Sequence, residues 1–226
     1  MNLQTYKVLE KHMLACMSDS THDKEHIYRV LYVALDIAGH ENGVDYDVLI
    51  SACLLHDIGR REQFENPQLC HAIVGSEKAY NFLISKGMNP EYAKRVKECI
   101  KTHRFCSEFQ PQSIEAKILF DSDKVDITGT LGIARTILYN GHISEPLYSL
   151  MEDGQVSDGT DDASPSFFRE YKYKLEGLYN QFYTKRGTEI AAERQISAIT
   201  FYNNLLHEVR SSYKFGQDLL LKHIDN

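Results

Sequence analysis

Apolar residues recur at helical spacing along almost the whole chain. From Asp23 to His40, the residues Ile27, Val30, Leu31, Ala34, Leu35 and Ala38 form one broad stripe, with Thr21–Asp23 as its cap. Gly43 ends that helix and Asp45 starts the next. The same spacing predicts helices over Leu3–Met17, Val48–Asp57, Cys70–Ser85, Glu91–His103, Ile114–Asp123 and Thr128–Tyr139, separated by turn signals at Gly59, Asn66-Pro67, Gly87, Asn89-Pro90 and Pro111. Residues 152–165 are rich in acid, Gly and Ser and read as a solvated connecting loop. The acids in that loop lack the spacing of an EF-hand calcium loop. After Pro165 helical spacing resumes over Phe167–Tyr183, Glu189–Val209 and Ser211–Lys222. With no alternating strand pattern and no internal repeat, the expected fold is all-α: a helical bundle with extra C-terminal helices packed on its core.

At 226 residues and 42% hydrophobic, the chain suits a single domain over 1–226, with a core at about 20–140 and C-terminal helices over 166–225. A net charge of −7 argues against a polymeric nucleic-acid partner, while a small phosphorylated ligand needs only a local basic pocket. The first sixteen residues carry polar groups every few positions, unlike a signal peptide, and no run is long enough to span a membrane. Cysteines at 16, 53, 70, 99 and 106 give an odd count without a Cys-x-x-Cys pair, which suits reduced packing thiols in the cytoplasm.

The chemistry begins at His56-Asp57. Leu49, Cys53 and His56 share one helical face, and Asp57 lies roughly 100° around the axis, so both polar residues finish at the rim of a buried surface. A buried carboxylate is costly unless paired or bound to a cation. Other polar residues end or open similar stripes. His26 precedes Val30, Val33 and Ile37; His103 follows Ala93, Val96 and Ile100; Asp123 follows Ala116 and Leu119; His71 precedes Gly75, Ala79 and Phe82. Stripe ends meet inside a helical bundle, where metal sites are built from facing side chains. Imidazoles and carboxylates together suit Mn²⁺, Mg²⁺, Ni²⁺, Fe²⁺, Co²⁺ or Zn²⁺, and the lack of nearby thiolates disfavours structural zinc.

On these residues the chain resembles the HD-domain superfamily of metal-dependent phosphohydrolases, whose signature is one His, a His-Asp pair and a distant Asp. His26 lies in His22-Asp23-Lys24-Glu25-His26-Ile27-Tyr28-Arg29-Val30, similar to the opening motif. His56-Asp57 is the pair, and Asp121-Ser122-Asp123-Lys124-Val125-Asp126 matches the closing motif, with Ser122 where Ala is common. The text around His71-Ala72, Thr102-His103-Arg104-Phe105 and Gly129–Arg135 is similar to that of the small stand-alone bacterial members, so the resemblance covers about residues 20–210. It implies His26, His56, Asp57 and Asp123 as metal ligands, Mn²⁺ foremost among the divalent ions. It also implies Asp121 as a supporting acid, and His71, His103 and Arg104 at a second-metal or substrate position.

The activity it implies is hydrolysis of a phosphate ester or anhydride of a small phosphorylated molecule, a nucleotide foremost, by an activated water. Lys124, then Arg60 or Arg61, are the cations expected at the phosphate, with Lys101 and Arg104 also flanking the site. Asp57, Glu62 and His103 each qualify as a general acid. Arg194 and Thr184 are weaker candidates. No phosphate-binding Gly loop, dinucleotide fingerprint or nucleophile elbow occurs. The alternatives are a two-iron oxygenase using His26, His56, Asp57, His71, His103 and Asp123, and a non-catalytic nucleotide-binding regulator. A homodimer stays open.

Overall fold

The computed structural model describes residues 1–17, 24–104 and 109–224. The cap expected at Thr21–Asp23, and Phe105 and Cys106, lie outside the described residues. The chain is all-α. In order run α1 (Leu3–Met17), α2 (Lys24–Ala38), α3 (Tyr46–Leu55), α4 (Arg60–Glu65), α5 (His71–Ser85), α6 (Pro90–Lys101), α7 (Ile114–Val125), α8 (Gly129–His142), α9 (Phe167–Glu170) and α10 (Lys185–Ile224). Among the described residues there is no strand; one antiparallel bridge joins Leu150 and Val156. The chain divides into two compact units, Met1–Asp126 with Phe182–Gly187, and Ile127–Gln181 with Thr188–Asn226.

In the first unit α3 is innermost. Its run Val48, Leu49, Ala52, Cys53, Leu54 and Leu55 is fully buried, because α1, α2, α5, α6 and α7 all pack on it and an apolar circumference has no water to meet. Asp45 caps α3 by accepting from the Asp47 and Val48 amides at 3.1 and 3.2 Å. Asn89, followed by Pro90, caps α6, and the Ser113 hydroxyl accepts from the Ala116 amide to cap α7. The capped, buried α3 delivers His56-Asp57 into the interior.

The turn after that pair crosses α5 backbone against backbone. A Cβ at Gly59 would meet the His71 carbonyl oxygen at 2.4 Å and the Gly75 nitrogen at 2.5 Å, so glycine is what lets the two segments touch. The short α4 that follows, too brief to show a periodicity, was not expected from the sequence. The segment 182–187 is strapped to α7, where Asp121 accepts from the amides of Tyr183 and Thr184 and from the Thr184 hydroxyl at 2.6 Å.

The second unit is organised by aromatic rings. Phe167, Phe168 and Tyr171 are buried, and Tyr171 stacks on Tyr202 at 4.1 Å. The helix expected over Phe167–Tyr183 breaks into α9, a π turn (Tyr171–Leu175) and a 3₁₀ turn (Leu178–Asn180). There the Glu176 amide reaches back to the Tyr171 carbonyl and Gly177 interrupts the ladder. The break expected between Val209 and Ser211 is absent, and α10 runs through it without a Gly or Pro to stop it. The acidic loop is pinned. Ser149 and Ser157 both donate to Asp162 at 2.5 Å, and Arg210 donates to the Val156 carbonyl at 3.1 Å. No described helix is long and apolar enough to cross a membrane.

Candidate metal centre

Four histidines converge, and each is anchored through Nδ1. His56 stands just past α3 and His103 just past α6, where the last carbonyls of a helix lack intrahelical donors. Each ring takes the carbonyl three residues back: His56 Nδ1 donates to Cys53 O at 2.8 Å, His103 Nδ1 to Ile100 O at 2.6 Å. A carbonyl can only accept, so Nδ1 carries a proton in both rings, and the neutral form of each ring has its lone pair on Nε2. His71, the first residue of α5, holds Gln63 Oε1 at 2.6 Å through Nδ1. His26 Nδ1 meets Asp126 Oδ2 at 2.7 Å, and Arg29 binds the same carboxylate through Nε at 2.7 Å and a terminal nitrogen at 3.1 Å. Partners of this kind orient the rings of metal-binding histidines.

All four Nε2 atoms face one carboxylate. His26 and His56 lie 3.6 and 3.7 Å from Asp57 Oδ2, His71 and His103 3.5 and 3.6 Å from Asp57 Oδ1. Asp123 Oδ1 joins the first pair, 3.3 Å from His26 Nε2 and 4.0 Å from His56 Nε2. Both Asp57 oxygens and the Nε2 atoms of His71 and His103 are buried without a hydrogen-bond partner among the described residues. Buried polar atoms rarely stay so. Among the described residues two sets are tight enough to hold an ion: His26, His56 and Asp123, and His56, Asp57 and His103. Imidazole nitrogens beside carboxylate oxygens form a donor set that fits a divalent cation.

Two cations flank the carboxylates. Lys124 Nζ sits 2.7 Å from Asp123 Oδ2 and also donates to the His103 carbonyl at 3.3 Å. Arg60 Nε lies 2.9 Å from Asp57 Oδ1 as an ion pair, with the N–H too far off line to count as a hydrogen bond. Burial works against charge on Asp57, but Arg60 and the nearby histidines outweigh it and hold its carboxyl well below the usual range. For Asp123, burial is likewise outweighed, by Lys124 and His26. Burial pushes His56 down to about 4 and, with Arg60 adding to it, His71 to about 2, so both present lone pairs at neutral pH. His26 is the exception: burial lowers it, yet the bonds to Asp123 and Asp126 prevail and raise it to about 9.

Of the residues singled out from the sequence, His26, His56, Asp57, Asp123, His71 and His103 come together, with Lys124 and Arg60 beside them. Asp57, expected at a rim, is fully inside. Arg61 points away and pairs with Glu65 at 2.9 Å on the surface. Arg104 is exposed and reaches the Cys70 sulfur at 3.9 Å, and Lys101 sits over the Phe109 ring. Glu62 is engaged by Lys78 at 2.6 Å. Asp121 and Thr184 are joined in the strap of the first unit, whereas Arg194 packs on Gly129 in the second. Sequence reasoning passed over Asp126, Arg29 and Gln63. Asp126 three residues after Asp123, and Arg29 three after His26, place a carboxylate and a guanidinium one turn from each ligand candidate, and that spacing was the available signal.

Residues 24–128 match the model of the HD domain family. The chain is 28% identical over 194 residues to the YpgQ protein of Bacillus subtilis (strain 168), covering 84% of this chain and 85% of that one. The crystal structure of Bacillus subtilis YpgQ in complex with ADP superposes with a TM-score of 0.71 at 26% identity, over 91% of this chain and 95% of that one. A predicted HD superfamily hydrolase from an uncultured Thermotogales bacterium superposes at 0.59 and 25% identity, over 91% and 92% of the two chains.

Proposed function

Residues 24–128 are an HD domain, and on that premise we propose that the protein is a metal-dependent phosphohydrolase that cleaves a small phosphorylated molecule, a nucleotide foremost. The observation that carries the reading is the approach of four anchored imidazoles to within 3.5–3.7 Å of the Asp57 oxygens, which have no hydrogen-bond partner among the described residues. His26, His56, Asp57 through Oδ2, and Asp123 would hold the ion, with Mn²⁺ the leading choice. When bound, the ion supplies Lewis acidity that activates water as the nucleophile. Asp126 and Cys53 O keep the His26 and His56 rings aimed. Lys124 and Arg60 supply positive charge for the phosphoryl oxygens. The nucleotide preference is supported by the ADP bound to the similar YpgQ.

A screen for phosphate and pyrophosphate release over nucleotides, sugar phosphates and pyrophosphates, with Mn²⁺, Mg²⁺, Ni²⁺ and Co²⁺, tests the reading, and turnover of at least one substrate class is expected. Binding without turnover under every metal would favour the nucleotide-binding regulator. The two-iron oxygenase draws its support from His71 and His103 facing the other Asp57 oxygen. Two irons per chain and substrate-dependent oxygen uptake would replace hydrolysis with that chemistry.

Metal binding should also carry a proton signature. His26, raised to about 9, is protonated at neutral pH, with a proton on Nε2 between it and Asp123. A metal needs that lone pair, so the proton must leave. Each displaced proton makes the apparent affinity rise about tenfold per pH unit between about pH 7 and pH 9, and flatten above. Calorimetric titration of Mn²⁺ in buffers of different ionisation heat reads the release directly; an affinity flat over that range contradicts it.

A further inference from the structure

The short α4 has little of its own to hold it in place. It spans six residues, none of them fully buried, and Gly59 before it offers no side chain as a cap. A helix this short is not stable by itself, so its position is set by what other elements bind. Yet α4 carries Arg60, which faces Asp57 Oδ1, and Gln63, which meets the His71 ring. We propose that Lys78 of α5 is a positioning residue for this site: its ammonium ties the Ile58 carbonyl to the Glu62 carboxylate and thereby holds Arg60 at Asp57. This rests on the reading of Arg60 as a cation for the phosphoryl oxygens, and goes beyond it by naming what keeps that cation in place.

Lys78 Nζ donates to Ile58 O at 2.7 Å and to Glu62 Oε1 at 2.6 Å. These acceptors bracket the chain from the residue after Asp57 to the first turn of α4, with Gly59, Arg60 and Arg61 between them. Ile58 is buried, and a buried carbonyl needs a donor, which the ammonium provides. Arg60 depends on that stretch of backbone. Its Nε lies 2.9 Å from Asp57 Oδ1 but is too far off line for a hydrogen bond, so charge draws the guanidinium in without fixing its direction. The Lys78 and Glu62 side chains are themselves 33% and 32% exposed, where an ion pair adds little to stability. What Lys78 contributes is therefore geometry: one charge on α5 fixes both ends of the segment that carries Arg60.

The test is a double-mutant cycle read by calorimetric titration of ADP into the Mn²⁺-loaded protein. Lys78→Met should weaken ADP binding about tenfold, and Lys78→Arg, which keeps the charge and the donors, by less than about threefold. In an Arg60→Gln background Lys78→Met should change the affinity by less than about twofold, because the residue it positions is gone. An equal loss in both backgrounds means that Lys78 acts by another route and overturns the proposal. A crystal structure of Lys78→Met decides without any ligand: Arg60 Nε is expected more than about 4 Å from Asp57 Oδ1, beyond ion-pair range, and an unmoved Arg60 overturns the proposal. If wild type binds no ADP, or Arg60→Gln binds it as wild type does, the nucleotide or the Arg60 reading fails, and the crystal structure still settles whether Lys78 holds Arg60. Lys78→Gln replaces Lys78→Met should circular dichroism show that the latter does not fold.

Discussion

Replacing His56 with alanine is expected to remove the bound divalent ion and to lower turnover by more than about 1000-fold, equivalent to roughly 4 kcal/mol of transition-state stabilisation. His56 is wholly buried, and its Nε2 lies 3.4 Å from His26 Nε2 and 3.7 Å from Asp57 Oδ2. No other side chain among the described residues can take its place, since its ring is set by the end of α3 through the 2.8 Å bond to Cys53 O. Losing the ring also orphans that carbonyl and leaves a hole, worth about 2 kcal/mol of stability. The loss of metal and the loss of fold are therefore measured separately, by metal content and by thermal melting. His71→Ala and His103→Ala should each keep one ion, because they face the other oxygen of Asp57. Metal-dependent turnover unchanged in His56→Ala would end the hydrolase reading.

How much of this was legible beforehand follows from where the information lies. The stripes ending in His26, His56, His103 and Asp123 are local patterns, and a helix that buries its stripe must bring the stripe's end to the common interior. The convergence of these residues was thus readable. Their supports were only partly so. The bonds from His56 and His103 to carbonyls three residues back obey a rule of helix ends and could have been named from the sequence. Gln63 and Asp126 meet their histidines across 8 and 100 residues, which no local pattern encodes. Arg60 and Arg61 are neighbours of like chemistry in the sequence. Only the course of α4 separates them, sending one to Asp57 and the other to Glu65 on the surface. The helix expected over Phe167–Tyr183 failed because apolar spacing does not distinguish a π turn from an α turn when both bury the same aromatic rings.

Gly59→Ala should destabilise the protein by about 3 kcal/mol, near the upper end of overpacking costs, and slow turnover roughly 100-fold. The added methyl would lie 2.4 Å from the His71 carbonyl oxygen and 2.5 Å from the Gly75 nitrogen. Both are backbone atoms, so no rotamer change can make room. Either α5 retreats, taking His71 with it, or the turn after Asp57 shifts and moves the carboxylate on which four Nε2 atoms converge. The effect on rate comes from that displacement, since a shift of about 1 Å at a reacting centre is costly far beyond its energetic cost to the fold. Gly75→Ala should be milder, its methyl meeting Gly59 N and the His56 carbonyl at 3.3 Å. Gly141→Ala in α8 has nothing within 4 Å and should raise the melting temperature slightly, as alanine favours the helix by about 0.5–1 kcal/mol. Thermal melting and metal-dependent turnover of the three variants check the series. If Gly59→Ala melts and turns over like wild type, the backbone contact between the His56-Asp57 turn and α5 does not set the position of the site.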